Sequence, residues 1–295
     1  MAGKNTGYLL PLPWTLTLLL IWIFPLVWSL VLAFADYNLL SGELNWIGLE
    51  NFRRLLSDPS FQRALWNTFL FVIGTLPFTT LFALLLALAL NRPVWGKNFF
   101  KASFFIPTIT SLVVVALIFT KLYSEGSWLY RFLGQFFNLP SGGFLLSDKT
   151  ALPSIMIMDI WAAIGYYILL FLVALQNVPQ ELYEAAKVEG ANSWQTFWAV
   201  TFPSIKPMLF FIVTLNTIKS FQVFTEVFVM TKGGPLGSTT TAVYFIYEEG
   251  LHRFKMGYAS AAAYLLFAII ALFSYFLFKS FKSESEVLAP AQTKA

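Results

Sequence analysis

Six apolar stretches, at about 13–35, 66–90, 102–123, 153–176, 204–230 and 259–279, constrain this chain more than any other feature. Each is close to the ~20 residues an α-helix needs to cross a bilayer core. In hydrocarbon, backbone N–H and C=O groups must bond within the segment, so stretches of this length are helices. The expectation is an all-α membrane protein, with six transmembrane helices in a single domain over residues 1–295. An even number of spans puts both termini on one side. The first stretch is too long for a cleavable signal, and no small-x-small site follows it at a suitable distance. Pro11, Pro13 and Pro25 with Trp14, Trp22 and Trp28 suit an anchored helix with rings at the interface.

Composition narrows the function classes. The chain is 58% hydrophobic and 12% charged, far from a soluble balance. It has no cysteine, so thiolate metal sites and cysteine nucleophiles are excluded. The single histidine, His252, cannot build a multi-histidine metal site and reads as a loop residue. No Gly-x-x-x-x-Gly-Lys-Ser/Thr run is present, so any ATP that drives this protein is hydrolysed by another chain. The net charge of +4 is scattered over interhelical loops, which does not point to nucleic acid. Clustered histidines, cysteines or paired carboxylates at catalytic spacing are also missing, which argues against an enzyme.

Between the fourth and fifth apolar stretches lies a polar segment, residues 179–203, with Glu181, Glu184, Lys187 and Glu189 within nine residues. It must lie in water. Pro179 suits a helix's first turn, and Glu181 and Glu184 sit near the positive end of its dipole. Gly190 permits a sharp turn, and Asn192 or Ser193 can cap a second short helix through Phe197 and Val200. Pro203 and Pro207 are expected to limit that helix before the next span begins. Such a bent helix pair is shaped to plug into another protein, although an interfacial amphipathic pair that stiffens a loop has the same pattern.

The segment resembles the EAA loop of permease subunits in bacterial binding-protein-dependent ABC importers. Glu184, Ala185, Ala186 and Gly190 match that family's Glu-Ala-Ala, three residues, Gly pattern, and Val200 and Pro203 fall at the right distance beyond it. Phe202 replaces the usual Leu. The resemblance implies the ABC importer permease fold, a homologous second permease subunit, two ATPase subunits that bind the ATP and magnesium, and an extracytoplasmic solute-binding protein. The chain itself would hold no cofactor.

Lysine and arginine counts do not fix the orientation. With the termini inside, Lys4, Arg92, Lys97, Lys101, Lys187, Lys206, Lys279, Lys282 and Lys294 fall inside. Arg53, Arg54, Arg63, Lys121, Arg131, Lys149, Lys232, Arg253 and Lys255 fall outside, which is a tie. The short 91–101 loop, basic and without an acid, weighs most. The resemblance puts the EAA loop and both termini in the cytoplasm of a bacterial cell, with the chain multi-pass in its inner membrane.

In the first outer loop the Phe52/Leu55/Leu56 spacing predicts a short amphipathic helix on the membrane surface. The preceding Gly48-Leu49-Glu50-Asn51-Phe52 and the later Gly233-Gly234-Pro235, followed by Ser238-Thr239-Thr240-Thr241, resemble the sugar-transport branch of these permeases. The likeness is to the larger-type subunit of maltose and glycerol-phosphate transporters, without a large inserted external domain. The Gly-Gly-Pro loop reads equally as a tight exit turn or as a partner contact.

Polar residues inside spans are costly and usually face a cavity or a partner. The fourth stretch carries Asp159, then Trp161, Gly165, Tyr166 and Tyr167; the fifth carries Asn216, Lys219, Ser220, Gln222 and Glu226. At ~1.5 Å per helical residue, Asp159 and Lys219 reach comparable depths in the outer half of the membrane and can pair. Asn216, Lys219 and Ser220 share one stripe. Trp161, Tyr166 and Phe221 can supply stacking faces for a hydroxyl-rich ligand. Bonding between helices, without contact to solute, is the alternative role of these groups. In the maltose-type subunit the helices before the EAA loop and before Gly-Gly-Pro supply substrate contacts. The resemblance carries these onto Asp159, Ala162, Ala163, Tyr166, Asn216, Lys219, Ser220 and Val223. Tyr166 keeps the family's aromatic, whereas Asp159, Lys219 and Val223 depart from its amides and second aromatic, which puts maltose itself in doubt. The expected function is a sugar, oligosaccharide or related polyol permease. The competing reading is an ion-coupled secondary transporter that uses Asp159, Lys219 and Glu226.

Overall fold

The computed structural model describes residues 11–93 and 95–287, with side chains through residue 280. Lys4, Lys294 and the side chain of Lys282, all counted above for orientation, lie outside the described residues. Two compact units divide the chain, one of residues 1–62 and 245–269, the other of residues 63–244 and 270–295.

In the first unit, helix α1 (Leu12–Ala33) is long and apolar enough to span. Its middle, Leu18–Ile23, takes the wider π pitch just before Pro25. A proline lacks an N–H and crowds the carbonyl four residues back, and a π turn relieves both. The chain then forms a small antiparallel hairpin, β1 (Ala35–Tyr37) with β2 (Leu44–Trp46), in the register Ala35↔Trp46 and Tyr37↔Leu44. This hairpin is a small addition to a chain whose spans are all helical, as expected. Its residues carry no alternating apolar pattern long enough to announce a strand. Helix α2 (Glu50–Ser57) follows as expected, but its inward face is different. Leu55 is buried with Asn51, while Leu56 is exposed. The Asn51 amide donates to the carbonyls of Ala33 and Ala35, so a polar side chain, rather than an apolar stripe, ties α2 to the end of α1. Farther along, Tyr258 donates to Asp58, and buried Glu249 pairs with Arg253 at 2.6 Å and Lys255 at 3.5 Å.

The second unit holds the other spanning helices, together with the end of the last one. Helix α3 (Pro59–Asn91) enters it at residue 63 and contains Pro77. The third apolar stretch is not one helix. Helices α4 (Lys97–Ile109) and α5 (Leu112–Leu122) meet at 99°. Thr110 and Ser111 are extended between them, just after Pro107. Among the described residues five helices are long and apolar enough to cross, and the bent pair, taken as one span, brings the number to six. A short helix α6 (Trp128–Leu133) precedes α7 (Ala151–Gln176). Residues 179–203 hold α8 (Gln180–Val188) and α9 (Ser193–Thr196), and beyond them run α10 (Phe202–Phe221), α11 (Thr225–Met230) and α12 (Ala242–Tyr247); α13 (Met256–Val287) returns from the first unit.

Lipid tails are as apolar as leucine, so these helices do not associate to escape water. They associate through close packing, which small residues allow. Ala83 and Ala87 of α3, Ala163 and Phe171 of α7 and Ile205 and Ile212 of α10 share one buried cluster. Gly165 lies so near the backbone carbonyl of Phe104 that no Cβ fits. That contact locks α4 against α7.

Candidate translocation and coupling sites

The coupling segment is a helix–turn–helix. Pro179 sits just before α8 with an extended ψ of 131°, and Glu181 occupies the first turn. Gly190 adopts φ +77°, a left-handed conformation that L side chains adopt only with strain. The turn is then closed by a reciprocal cap. The Gln195 amide N–H donates to the Asn192 side chain, while the Asn192 N–H donates to the Gln195 side chain. Ala186 is buried and its carbonyl accepts from Ala191 N–H, whereas Glu184 and Ala185 point outward. Leu182, Val188 and Trp194 are exposed beside them.

One expectation about this segment fails. Pro203 and Pro207 do not end the second helix, which continues from Ser193 through both into the fifth span. Residues Phe197–Thr201 take the π pitch immediately before Pro203, the arrangement already met at Pro25. The widened turn accommodates the ring, so the second half of the 179–203 segment runs into the fifth span as one continuous helix.

The in-span polar residues gather at one level. Lys219 Nζ lies 3.4 Å from Asp159 Oδ1; the Asp159 side chain is 5% exposed and that of Lys219 47%. Glu226 is buried and has Asp159 and Lys219 as its charged neighbours. It comes into range because α10 breaks after Phe221, turning Gln222 to Phe224 before α11 begins. Two cavities flank Lys219. One, of about 280 Å³, is lined by Asp159, Lys219, Ser220, Gln222 and Glu226 among others. The other, of about 380 Å³, is lined by Thr108, Thr110, Ala162, Tyr166, Tyr167 and Lys219 among others. Lys219, Leu112 and Leu215 belong to both walls.

The other expected residues are distributed unevenly. Ala163 lines the larger cavity and Val223 the smaller. Ser220 shares a hydrogen bond with Thr75 of α3 at 3.2 Å. Asn216 is fully buried, and its Nδ2 has no hydrogen-bond partner among the described residues. Phe221 is buried against Phe273, with ring centroids 5.3 Å apart, and so is not a free stacking face. Trp161 packs on Phe119 at the same separation. Nothing in the sequence alone singles out Thr108 and Thr110. They reach the cavity because the third stretch breaks beside them, and Pro107 is the nearest local signal of that break.

After the fifth span, the Gly-Gly-Pro loop is held by its own hydroxyls. Thr239 donates to the Gly234 carbonyl and Thr240 to that of Gly233. The Asn67 amide bonds the carbonyls of Gly237 and Thr240, and Arg63 bonds that of Leu236, whose side chain stands 88% exposed at the tip. The peptide bond between Gly234 and Pro235 is cis. The tight-turn reading is therefore met, with one apolar side chain left outward.

Residues 79–283 match the family model described as binding-protein-dependent transport system inner membrane component. The chain belongs to this family. It is a multi-pass permease component of an ABC importer and not an enzyme, which displaces the ion-coupled alternative. A probable ABC transporter permease protein of Bacillus subtilis, YurN, is 33% identical over 288 residues, covering 96% of this permease and 98% of the relative. The arabinooligosaccharides transport system permease protein AraP of the same organism is also 33% identical, covering 96% and 91%. Among solved structures, a bacterial ABC transporter involved in import of the acidic polysaccharide alginate contains a chain that superposes with a TM-score of 0.83. That chain is 23% identical, with 94% and 95% of the two chains covered. At that identity the likeness concerns the fold.

Proposed function

We propose that this permease carries a sugar, an oligosaccharide or a related polyol inward, as one half of a translocation path completed by a homologous second subunit. The α8–α9 hairpin faces the cytoplasm and docks into one of two ATPase subunits, with Glu184 and Ala185 presented to it. An external binding protein delivers the solute to the opposite face. Both termini then lie on the cytoplasmic side of the bacterial inner membrane. The observation that carries this reading is the capped turn at Gly190, in one helical piece with the span that bears Lys219. A displacement imposed on the hairpin reaches the cavity walls through a continuous helix. ATP binding that closes the ATPase pair would pull on this helix and turn the cavities outward.

The sugar class is supported by the relative named for arabinooligosaccharides and by the make-up of the larger cavity, in which an aromatic ring stands beside hydroxyl donors and acceptors. Tyr166, Lys219, Asp159 and Ser220 would touch solute at the cavity walls, and Asn216, whose buried amide lacks a partner among the described residues, would join them when the helix packing opens. The test is uptake of labelled arabino-, malto- and galacto-oligosaccharides by cells lacking this gene and by cells carrying it. Restored, ATPase-dependent uptake of one of these classes is expected. Uptake that survives loss of the ATPase, or restoration only of a non-sugar solute, would overturn the proposal.

A further inference from the structure

At the coupling end of the second unit lies a third cavity, of about 410 Å³, which the translocation path does not use. That volume is within the range of about 300–1,000 Å³ usual for small-molecule sites. Its wall brings together Asn91 and Arg92 from the end of α3, Tyr183 and Lys187 from α8, and Ser193 and Thr196 from α9. None of its lining residues is acidic. Neither Arg92 nor Lys187 forms an ion pair among the described residues, and the side chains of Asn91 and Ser193 make no hydrogen bond there. Two cations facing one hollow without a carboxylate repel each other, and the cavity offers an anion both charges together with neutral donors. Tyr183 keeps its place through a hydrogen bond with Thr201 at 3.2 Å, so the wall is built rather than loose.

We propose that this cavity binds a small phosphate-bearing anion and that the anion braces the coupling hairpin against the end of α3. The planar guanidinium of Arg92 suits two phosphate oxygens at once, and Lys187 supplies a point charge from the facing helix. Ser193 and Asn91 donate to the remaining oxygens. The phosphate comes either from a soluble ester in the cytoplasm or from the headgroup of an anionic lipid, because the cavity sits where α3 leaves the membrane. The proposal rests on the orientation given above only for the side from which the anion arrives; the binding measurements do not depend on it.

The experiment uses the permease purified with its ATPase, in nanodiscs. In phosphatidylcholine discs, inorganic phosphate is titrated against chloride and sulfate at matched ionic strength, and the unfolding midpoint of the permease is read. In a second arm, phosphatidylglycerol discs replace phosphatidylcholine, and lipids retained after delipidation are counted by native mass spectrometry. A saturable rise in midpoint with phosphate identifies a soluble source. Retained phosphatidylglycerol without a phosphate response identifies a lipid. Either effect should fall at least tenfold in apparent affinity or occupancy in Arg92→Ala and in Lys187→Ala, and Arg92→Lys should keep part of it, which separates loss of binding from misfolding. Equal responses in wild type and both alanine variants overturn the proposal. So does loss of ATPase co-purification in Arg92→Ala with the phosphate response intact, which would make the cations a docking contact.

Discussion

Lys219 and Asp159 approach each other to 3.4 Å but differ in access to water. Asp159 is enclosed, with Glu226 as a second buried carboxylate nearby, while half of the Lys219 side chain faces the cavities. Removing one partner of a buried pair leaves the other uncompensated, at a cost of about 3–5 kcal/mol when both are enclosed. Here the cost is unequal. Lys219→Ala strands Asp159 beside Glu226, whereas Asp159→Asn leaves a lysine that can turn toward water. Lys219→Ala should therefore lower the unfolding midpoint and the membrane yield more than Asp159→Asn, and the double variant should recover part of the loss. A double-mutant cycle on thermal unfolding should give an interaction of about 0.5–3 kcal/mol, and additive effects would argue against the pair. Tyr166 tests the solute side of the same wall, because it lines the larger cavity and belongs to neither the Lys219–Asp159 pair nor the smaller cavity. Tyr166→Ala should reduce uptake severalfold while ligand binding by the external protein is unchanged. Uptake equal to wild type would remove Tyr166 from the path.

At the scale of elements, two glycines hold positions that disfavour a side chain, each for a different reason. Gly190 has φ +77° with open space around its Cα, so Gly190→Ala meets no clash and costs only the left-handed backbone, about 1–2 kcal/mol. It should transport with reduced efficiency. Gly190→Pro demands a φ near −65° and should abolish uptake and solute-stimulated ATP hydrolysis with the protein still in the membrane. Full coupling in that variant would sink the docking role of the hairpin. Gly165 differs, because any Cβ there collides with the Phe104 carbonyl. Gly165→Val should push α4 from α7 and lower the yield of folded protein, read as monodisperse material after detergent extraction. The same elements show what the sequence discloses. Gly190, Asn192 and the spacing from Glu184 to Pro203 are local signals, and the turn they predict is the turn that forms. The break at Thr110 was hidden, since 102–123 is apolar enough to read as one span despite Thr110 and Ser111, and Pro107 alone does not force a 99° bend. The passage of one helix through Pro203 and Pro207 was hidden too, because a π turn leaves no mark in composition. The burial of Phe221 and of Asn216 depends on which neighbours α10 meets, and periodicity within one segment does not report that.

For the whole molecule the decisive quantity is orientation, and charge counting ties at nine cations on each side. The asymmetry lies elsewhere. Ser193, on the coupling hairpin, and Ser141, in the loop before α7, are both exposed and at opposite ends of the same span. Residue Ser141 precedes α7 and Ser193 follows it, with one crossing of 26 residues between, which is enough for a bilayer core. The natural chain contains no cysteine, so a single thiol introduced at either position is the only one a reagent can find. With the hairpin in the cytoplasm, Ser141→Cys should react with a membrane-impermeant maleimide in intact spheroplasts and Ser193→Cys only after lysis. Neither position is held by a side-chain hydrogen bond among the described residues, so neither substitution should disturb folding. Labelling of Ser193→Cys from outside would invert the molecule, placing the hairpin away from any cytoplasmic ATPase. An importer cannot be driven from that side, so this one result decides between the proposed coupling and none.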